Sequence, residues 1–117
     1  MNSLKKLRDS YIIWHANRIK FPDFAQSPVV RKNITFSGKV QNVGFRLELW
    51  RLAQRLNLKG WVKNSDDGSV IAELQGEESK IDFLIKSMQS LKRATVNEPH
   101  IVELPFSDEE LDIKIIR

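Results

Sequence analysis

Between Ser37 and Trp50 the sequence reads SGKVQNVGFRLELW, and the residue types there are suited to holding an anion. Gly38 and Gly44 remove side chains that would shield backbone N–H groups, and Gly44 has access to backbone angles closed to other residues. An apolar spacing of helical period starts just after Gly44. The loop therefore runs into a helix N-terminus, where N–H groups lack intrahelical acceptors and the helix dipole adds partial positive charge. Arg46 brings a planar, permanently charged guanidinium that matches two phosphate oxygens at once. An ordinary strand-to-helix turn also contains glycines, so these residues alone leave a phosphate pocket and a plain turn both open. A second constellation is Asn64, with Gly60 and Trp61 before it and the sequence SDDG after it. An asparagine ahead of such a turn commonly bonds its own backbone.

Other chemistries are excluded or disfavoured. The chain has no cysteine, which removes disulfides, thiolate metal sites and cysteine nucleophiles. His15 and His100 are the only imidazoles and do not fall at ligand spacing, so neither a metal nor a cofactor is expected. No apolar run approaches the length of a membrane span, and the basic N-terminus lacks the continuous apolar segment of a secretory signal. No membrane partner is expected, and the cytoplasm is the expected compartment. The net charge of +4 is concentrated in residues 1–32, where seven Lys/Arg face only Asp9 and Asp23. No basic cluster is interleaved with aromatic residues as single-strand binders require, so nucleic acid is not an expected partner.

The elements that must position the loop follow from periodicity. In residues 4–20 Leu4, Leu7, Tyr11 and Trp14 form a helical stripe flanked by Ile12 and Ile19, with Ser3 as a cap. The two prolines of FPDFAQSP, Phe21 to Pro28, break it and read as a linker. Residues 1–28 are thus expected to form a helical extension and linker, and residues 29–117 the main domain. The extension's stripe is expected to pack on that domain in cis, with Leu47 and Trp50 available to receive it.

From Val29, VVRKNITFS reads as a first strand, with Val30, Lys32, Ile34 and Phe36 on one side. After the loop Phe45, Leu49, Leu52, Ala53 and Leu56 form an amphipathic helix, with Arg46, Glu48, Arg51, Gln54 and Arg55 largely opposite. LKGWVKN and SVIAELQG make two strands around Asp67-Gly68, a strong hairpin signal. Ile81, Leu84, Ile85, Met88 and Leu91 mark a second helix, with Glu77 and Glu78 in its first turn and Lys92 and Arg93 in its last. HIVELPF and LDIKIIR are further strand candidates. The order strand, helix, strand, strand, helix, strand predicts an α+β class, ferredoxin-like βαββαβ sandwich: an antiparallel sheet with two helices on one face, plus the N-terminal helical extension.

Taken together, GKVQNVGFR at Gly38–Arg46 and LKGWVKNSDDGSV at Leu58–Val70 resemble the signature of the acylphosphatase family. There G-x-V-Q-G-V-G-F-R is followed by G-W-V-x-N-x-x-D-G-x-V, and type, order and separation all match. The resemblance extends less sharply through IAELQGEESKIDFLIKSM and covers about Val30 to Arg117. It implies the ferredoxin-like fold already suggested by element order. It also implies that Gln41, Asn42, Val43, Gly44, Phe45 and Arg46 cradle a phosphate, that Arg46 binds it, and that Asn64 orients the attacking water. The implied reaction is hydrolysis of a small-molecule acyl phosphate to carboxylate and inorganic phosphate, without metal. A non-catalytic module of the same fold, binding an anion or a partner through the loop, is the alternative. Two features depart from the family: Asn42 stands where glycine is usual, and the extension has no counterpart. Neither the acyl group nor the oligomeric state is encoded legibly.

Overall fold

The computed structural model describes residues 3–109 and 112–117. Helix α1 (Ser3–Arg18) is followed by strands β1 (Val29–Phe36) and β2 (Gly38–Lys39), then helix α2 (Phe45–Arg55) and strands β3 (Lys59–Asn64) and β4 (Val70–Glu77). Helix α3 (Glu78–Gln89) and strands β5 (Thr95–Val96), β6 (His100–Leu104) and β7 (Ile113–Ile116) complete the chain. Five strands form one sheet in the order β6-β1-β4-β3-β7. The β1, β3, β4 and β6 pairings are antiparallel, as the predicted sandwich requires. The sheet is mixed, because β7 adds to β3 in parallel. The short pair β2 and β5 forms a separate two-stranded ribbon with no signal in the sequence.

Period-two alternation places Ile34 and Phe36 of β1 against Ala72 and Val70 of β4, all fully buried beneath α2 and α3. The predicted apolar positions of α2 (Phe45, Leu49, Leu52, Ala53, Leu56) and of α3 (Ile81, Leu84, Ile85, Met88, Leu91) all enter this core. Each fully buried Val, Leu, Ile, Phe or Met side chain among them contributes about 1.5–3 kcal/mol relative to exposure. At Asp67-Gly68 the hairpin turn forms as predicted: Gly68 has φ 92° and Asn64 pairs with Val70 across it. On the opposite sheet face Arg31 is buried with Glu73, at 2.7 and 2.9 Å, rather than with apolar neighbours.

The extension docks in cis, but not through the predicted stripe. Leu4, Leu7, Tyr11 and Trp14 are between 52 % and 74 % exposed, whereas Ile12 and Ala16 are buried. Ile12 lies against Gly44, where a built Cβ would approach its Cδ1 to 1.8 Å. Polar contacts with α2 complete the seat: Arg51 Nε donates to Asn17 Oδ1 at 2.6 Å, and Arg55 Nη1 donates to the carbonyls of Ala16 and Ile19 at 2.8 Å each. Trp50 is not part of that seat, since its indole N–H donates to the Ile113 carbonyl of β7. The segment read as a linker has no regular structure yet packs firmly. Phe21 and Phe24 make edge contacts with Phe83 of α3 at 5.4 Å, and Arg55 covers the Phe21 ring at 4.2 Å.

Two charged groups also depart from expectation. Glu48, assigned to the outer side of α2, is 0 % exposed because α1 covers it. Helix α3 ends at Gln89, so Lys92 and Arg93 lie beyond its last turn and Arg93 turns back toward α2.

Candidate active site

The sequence from Val40 to Arg46 forms a tight turn ending in α2, and its backbone explains its residue types. Asn42 and Gly44 both have left-handed angles, φ 64° and 76°. Asparagine is among the few non-glycine residues that adopt that region readily, so the departure at residue 42 preserves the loop's shape. Gly44 is doubly required, by its angle and by Ile12 pressed against it. As N-cap of α2, Gly44 offers no side-chain acceptor, which leaves the first-turn N–H groups to whatever occupies the loop.

A cleft of about 160 Å³ opens over this turn. It is lined by Gln41, Asn42, Gly44, Phe45 and Arg46 from the loop and by Asn64 from the end of β3. Of the residues expected at the site, Val43 alone does not line the cleft. Its carbonyl instead accepts a 2.6 Å hydrogen bond from Arg93 Nε. The Gln41 side chain serves the frame, donating to the carbonyls of Ser65 and Ser69 at 2.7 and 2.9 Å. That clamp fixes the β3–β4 turn to the loop and so sets Asn64 across from Arg46. Asn64 is exposed at the strand end, where it is open to water.

Arg46 is held only lightly by protein, with Nη1 3.5 Å from the Ile116 carbonyl. Its pKa is lowered by partial burial and then by the positive charge of Arg117, although the guanidinium remains a cation. Two guanidiniums facing one cleft destabilise each other until an anion lies between them. The cleft thus favours an anion.

Sequence reading missed the residues behind the loop. Arg93 Nη2 donates to Glu48 Oε1 and His15 Nδ1 to Glu48 Oε2, each at 2.5 Å. The buried carboxylate therefore joins α1, α2 and the turn after α3 at a point adjoining Val43. It also missed Lys5, Arg8 and Asp9 of α1 and Arg117, all of which line the cleft. Only the excess of basic residues in the extension hinted at them. Among the described residues no three His, Asp or Glu gather as a metal site, and no helix is long and apolar enough to cross a membrane.

Comparison with known proteins tests whether loop and fold belong together. The acylphosphatase family model matches residues 32–114, spanning both the loop and Asn64. The acylphosphatase of Bifidobacterium longum is 38 % identical over 82 residues, which is 69 % of this chain and 84 % of that protein. The acylphosphatase of Geobacillus thermodenitrificans is 34 % identical over 87 residues, 74 % of this chain and 93 % of that one. The crystal structure of acylphosphatase from Bacillus subtilis superposes with a TM-score of 0.70 at 27 % identity, covering 75 % of this chain and 99 % of its own. A shared sandwich alone would leave the chemistry open. Here the sequence match runs through the cleft itself and over most of each relative, and on that ground the chain belongs to the acylphosphatase family.

Proposed function

We propose that this protein is an acylphosphatase that hydrolyses acyl phosphates in the cytoplasm, with Arg46 and the loop amides holding the phosphoryl group and Asn64 directing the water. The observation that carries the assignment is the meeting of Arg46, Asn64, Gln41, Asn42, Gly44 and Phe45 around one cleft at the start of α2.

The chemistry needs little else. Water oxygen attacks phosphorus, and the bond from phosphorus to the acyl oxygen breaks. The carboxylate leaves with the electron pair, and the water proton passes to the phosphate. A carboxylate whose conjugate acid has a pKa of about 4 departs without a general acid. A loose phosphoryl-transfer transition state asks mainly for positioning and charge stabilisation. Arg46, the first-turn N–H groups of α2 and the nearby Arg117 supply that field without metal. Asn64 is no base, but its amide dipoles can hold a water in line with the leaving oxygen while the substrate phosphate accepts the proton.

The test is hydrolysis of benzoyl phosphate with chelator present. Arg46→Ala lowers kcat/KM by about a thousandfold and Asn64→Ala by about a hundredfold, the scale on which preorganised donors act. Only the arginine change also removes competitive inhibition by inorganic phosphate. Phosphate binding without turnover in the intact chain would instead identify a non-catalytic module.

A further inference from the structure

Helix α1 is apolar on two faces, and the fold uses one of them. Ile12 and Ala16 are buried against α2, while Leu7, Tyr11 and Trp14 are 68 %, 52 % and 54 % exposed. At 3.6 residues per turn, Leu7 and Trp14 lie about 140–180° around the helix from Ile12 and Ala16, so the two faces are opposed. The outer face is ordered by its own contacts. The Tyr11 and Trp14 rings stack with centroids 6.0 Å apart, and the Arg18 guanidinium lies 4.8 Å from the centre of the Trp14 ring. Leu7, Tyr11, Trp14 and Arg18 thus form one line along the helix. From Tyr11 the apolar surface continues into a groove of about 470 Å³ between α1 and the end of α3, walled by Ile19 and Leu91 with Lys92 at its edge. The family match begins only at residue 32, so the line lies outside the matched sequence.

The charges around this face are of one sign. Lys6 precedes Leu7, Arg18 ends the line and Lys20 follows the last turn, and all three are exposed. Among the described residues none of the three makes an ion pair. The acidic residue of α1, Asp9, pairs with Arg8 and lines the cleft, about 160° around the helix from Leu7. A second copy of the chain seated on this face would bring the same cations against themselves, so charge opposes self-pairing. An anionic surface with an apolar interior is the complement. Trp and Tyr settle at the depth of lipid headgroups, Leu enters the acyl boundary, and Lys and Arg extend to the phosphates.

We infer that α1 is an interfacial helix that seats the protein on membranes rich in anionic lipid, through Leu7, Tyr11 and Trp14 and the cations Lys6, Arg18 and Lys20. No helix among the described residues is long and apolar enough to cross a bilayer, but lying in its surface asks only for one face of this kind. Because Asp9 and the cleft it lines are turned away from Leu7, the seated helix leaves the cleft open to substrate. Attachment through a single helix face is reversible and weakens with salt.

The experiment measures co-sedimentation of the full chain with vesicles of phosphatidylcholine alone or with about 30 % phosphatidylserine, together with tryptophan emission. The expected result is binding to the anionic vesicles, at least about tenfold weaker on the neutral ones and in about 0.5 M salt. Emission shifts to shorter wavelength on binding, and Trp14→Phe removes the shift. Leu7→Ser/Trp14→Ser and Lys6→Gln/Lys20→Gln each weaken binding about tenfold or more. All four positions are exposed, so folding is retained and a melting curve confirms it. No readout involves hydrolysis, so the outcome is independent of the activity proposed above. Absence of binding to the anionic vesicles overturns the inference. So does binding without an emission shift, or binding that Leu7→Ser/Trp14→Ser leaves unchanged, because attraction of a basic protein to charged lipid then accounts for it. A concentration-dependent dimer that Leu7→Ser/Trp14→Ser abolishes overturns it as well, since a second copy then covers the face.

Discussion

Removing the Glu48 carboxylate is the most searching perturbation of the frame behind the loop. Its side chain is 0 % exposed and bonded at 2.5 Å to both Arg93 and His15, whose side chains are 24 % and 36 % exposed. Truncating one member of a fully buried ion pair costs roughly 3–5 kcal/mol, because its partner is left desolvated and uncompensated. Arg93 and His15 both reach solvent, so part of that penalty is relieved by water. Arg93 also keeps its bond to the Val43 carbonyl. Glu48→Ala should therefore destabilise the fold by about 2–4 kcal/mol. For a chain of this length each kcal/mol moves the melting temperature by about 3–5 °C, which puts the fall at about 6–20 °C. The assay is thermal and urea unfolding of Glu48→Ala, Arg93→Ala and the double variant. A thermodynamic cycle should give a coupling of about 1–2 kcal/mol between the two side chains. Release of Arg93 also loosens Val43, and inorganic phosphate should inhibit Glu48→Ala about three- to tenfold more weakly than the intact protein. A destabilisation below about 1 kcal/mol, or a coupling indistinguishable from zero, would refute the idea that this carboxylate ties extension, helix and loop together.

Two further outcomes follow from burial and hydrogen bonding. Ile12→Ala should cost about 2–4 kcal/mol in chemical denaturation, while Leu7→Ala, at a position 68 % exposed, should change stability by less than about 0.5 kcal/mol; the reverse ranking would mean that the other face of α1 is the docked one. The Asp67 carboxyl is held below its usual value by the Ser69 hydroxyl and then by the Ser69 N–H, at 2.6 and 3.0 Å. A folded-state pKa depressed below the unfolded 3.8 contributes stability that is full above that pH and lost as pH falls through the folded value. The melting-temperature advantage of the intact protein over Asp67→Asn should accordingly be present at pH 6 and shrink as the pH is lowered below 3.8; an advantage independent of pH would exclude the carboxylate as its source.

The legible parts of the sequence are those in which one segment carries its own answer. The α2 and α3 core positions repeat at helical period, and a glycine after aspartate marks the β3–β4 turn, so both elements were readable locally. Arg46 and Asn64 were picked out by a resemblance of two motifs to a known signature, and both line one cleft. Helix α1 was misread because hydrophobicity was taken to choose its inner face. Leu4, Leu7, Tyr11 and Trp14 are apolar and recur at helical spacing, yet what decides the docking is the surface that receives it. That surface is a notch at Gly44, a buried carboxylate at Glu48 and two donors at Arg51 and Arg55. Ile12 fits the notch, Ala16 allows close approach, and His15 and Asn17 meet the polar groups. None of this is visible in the periodicity of α1 alone. Arg93 was misplaced for the same reason: its partners, Val43 and Glu48, lie 50 and 45 residues away.

Why the chain holds this loop from so many directions follows from the reaction. Under the proposed mechanism the leaving group departs unaided, so acid–base groups of tuned pKa add little and alignment of charge and water is what the protein supplies. Alignment here depends on a turn with two left-handed residues in succession of three, a shape the backbone does not keep by itself. Gln41 ties it to the turn that carries Asn64, Arg93 ties it to the end of α3, and Ile12 seals it from α1. Each contact is modest, and they come from three separate parts of the chain, so displacement of the phosphate cradle by an ångström must disturb all of them together. The extension is then part of the frame of the cleft: Ile12, which props Gly44, and Lys5, Arg8 and Asp9, which line the cleft, all lie on α1, so movement of that helix would disturb the loop and the cleft at the same time.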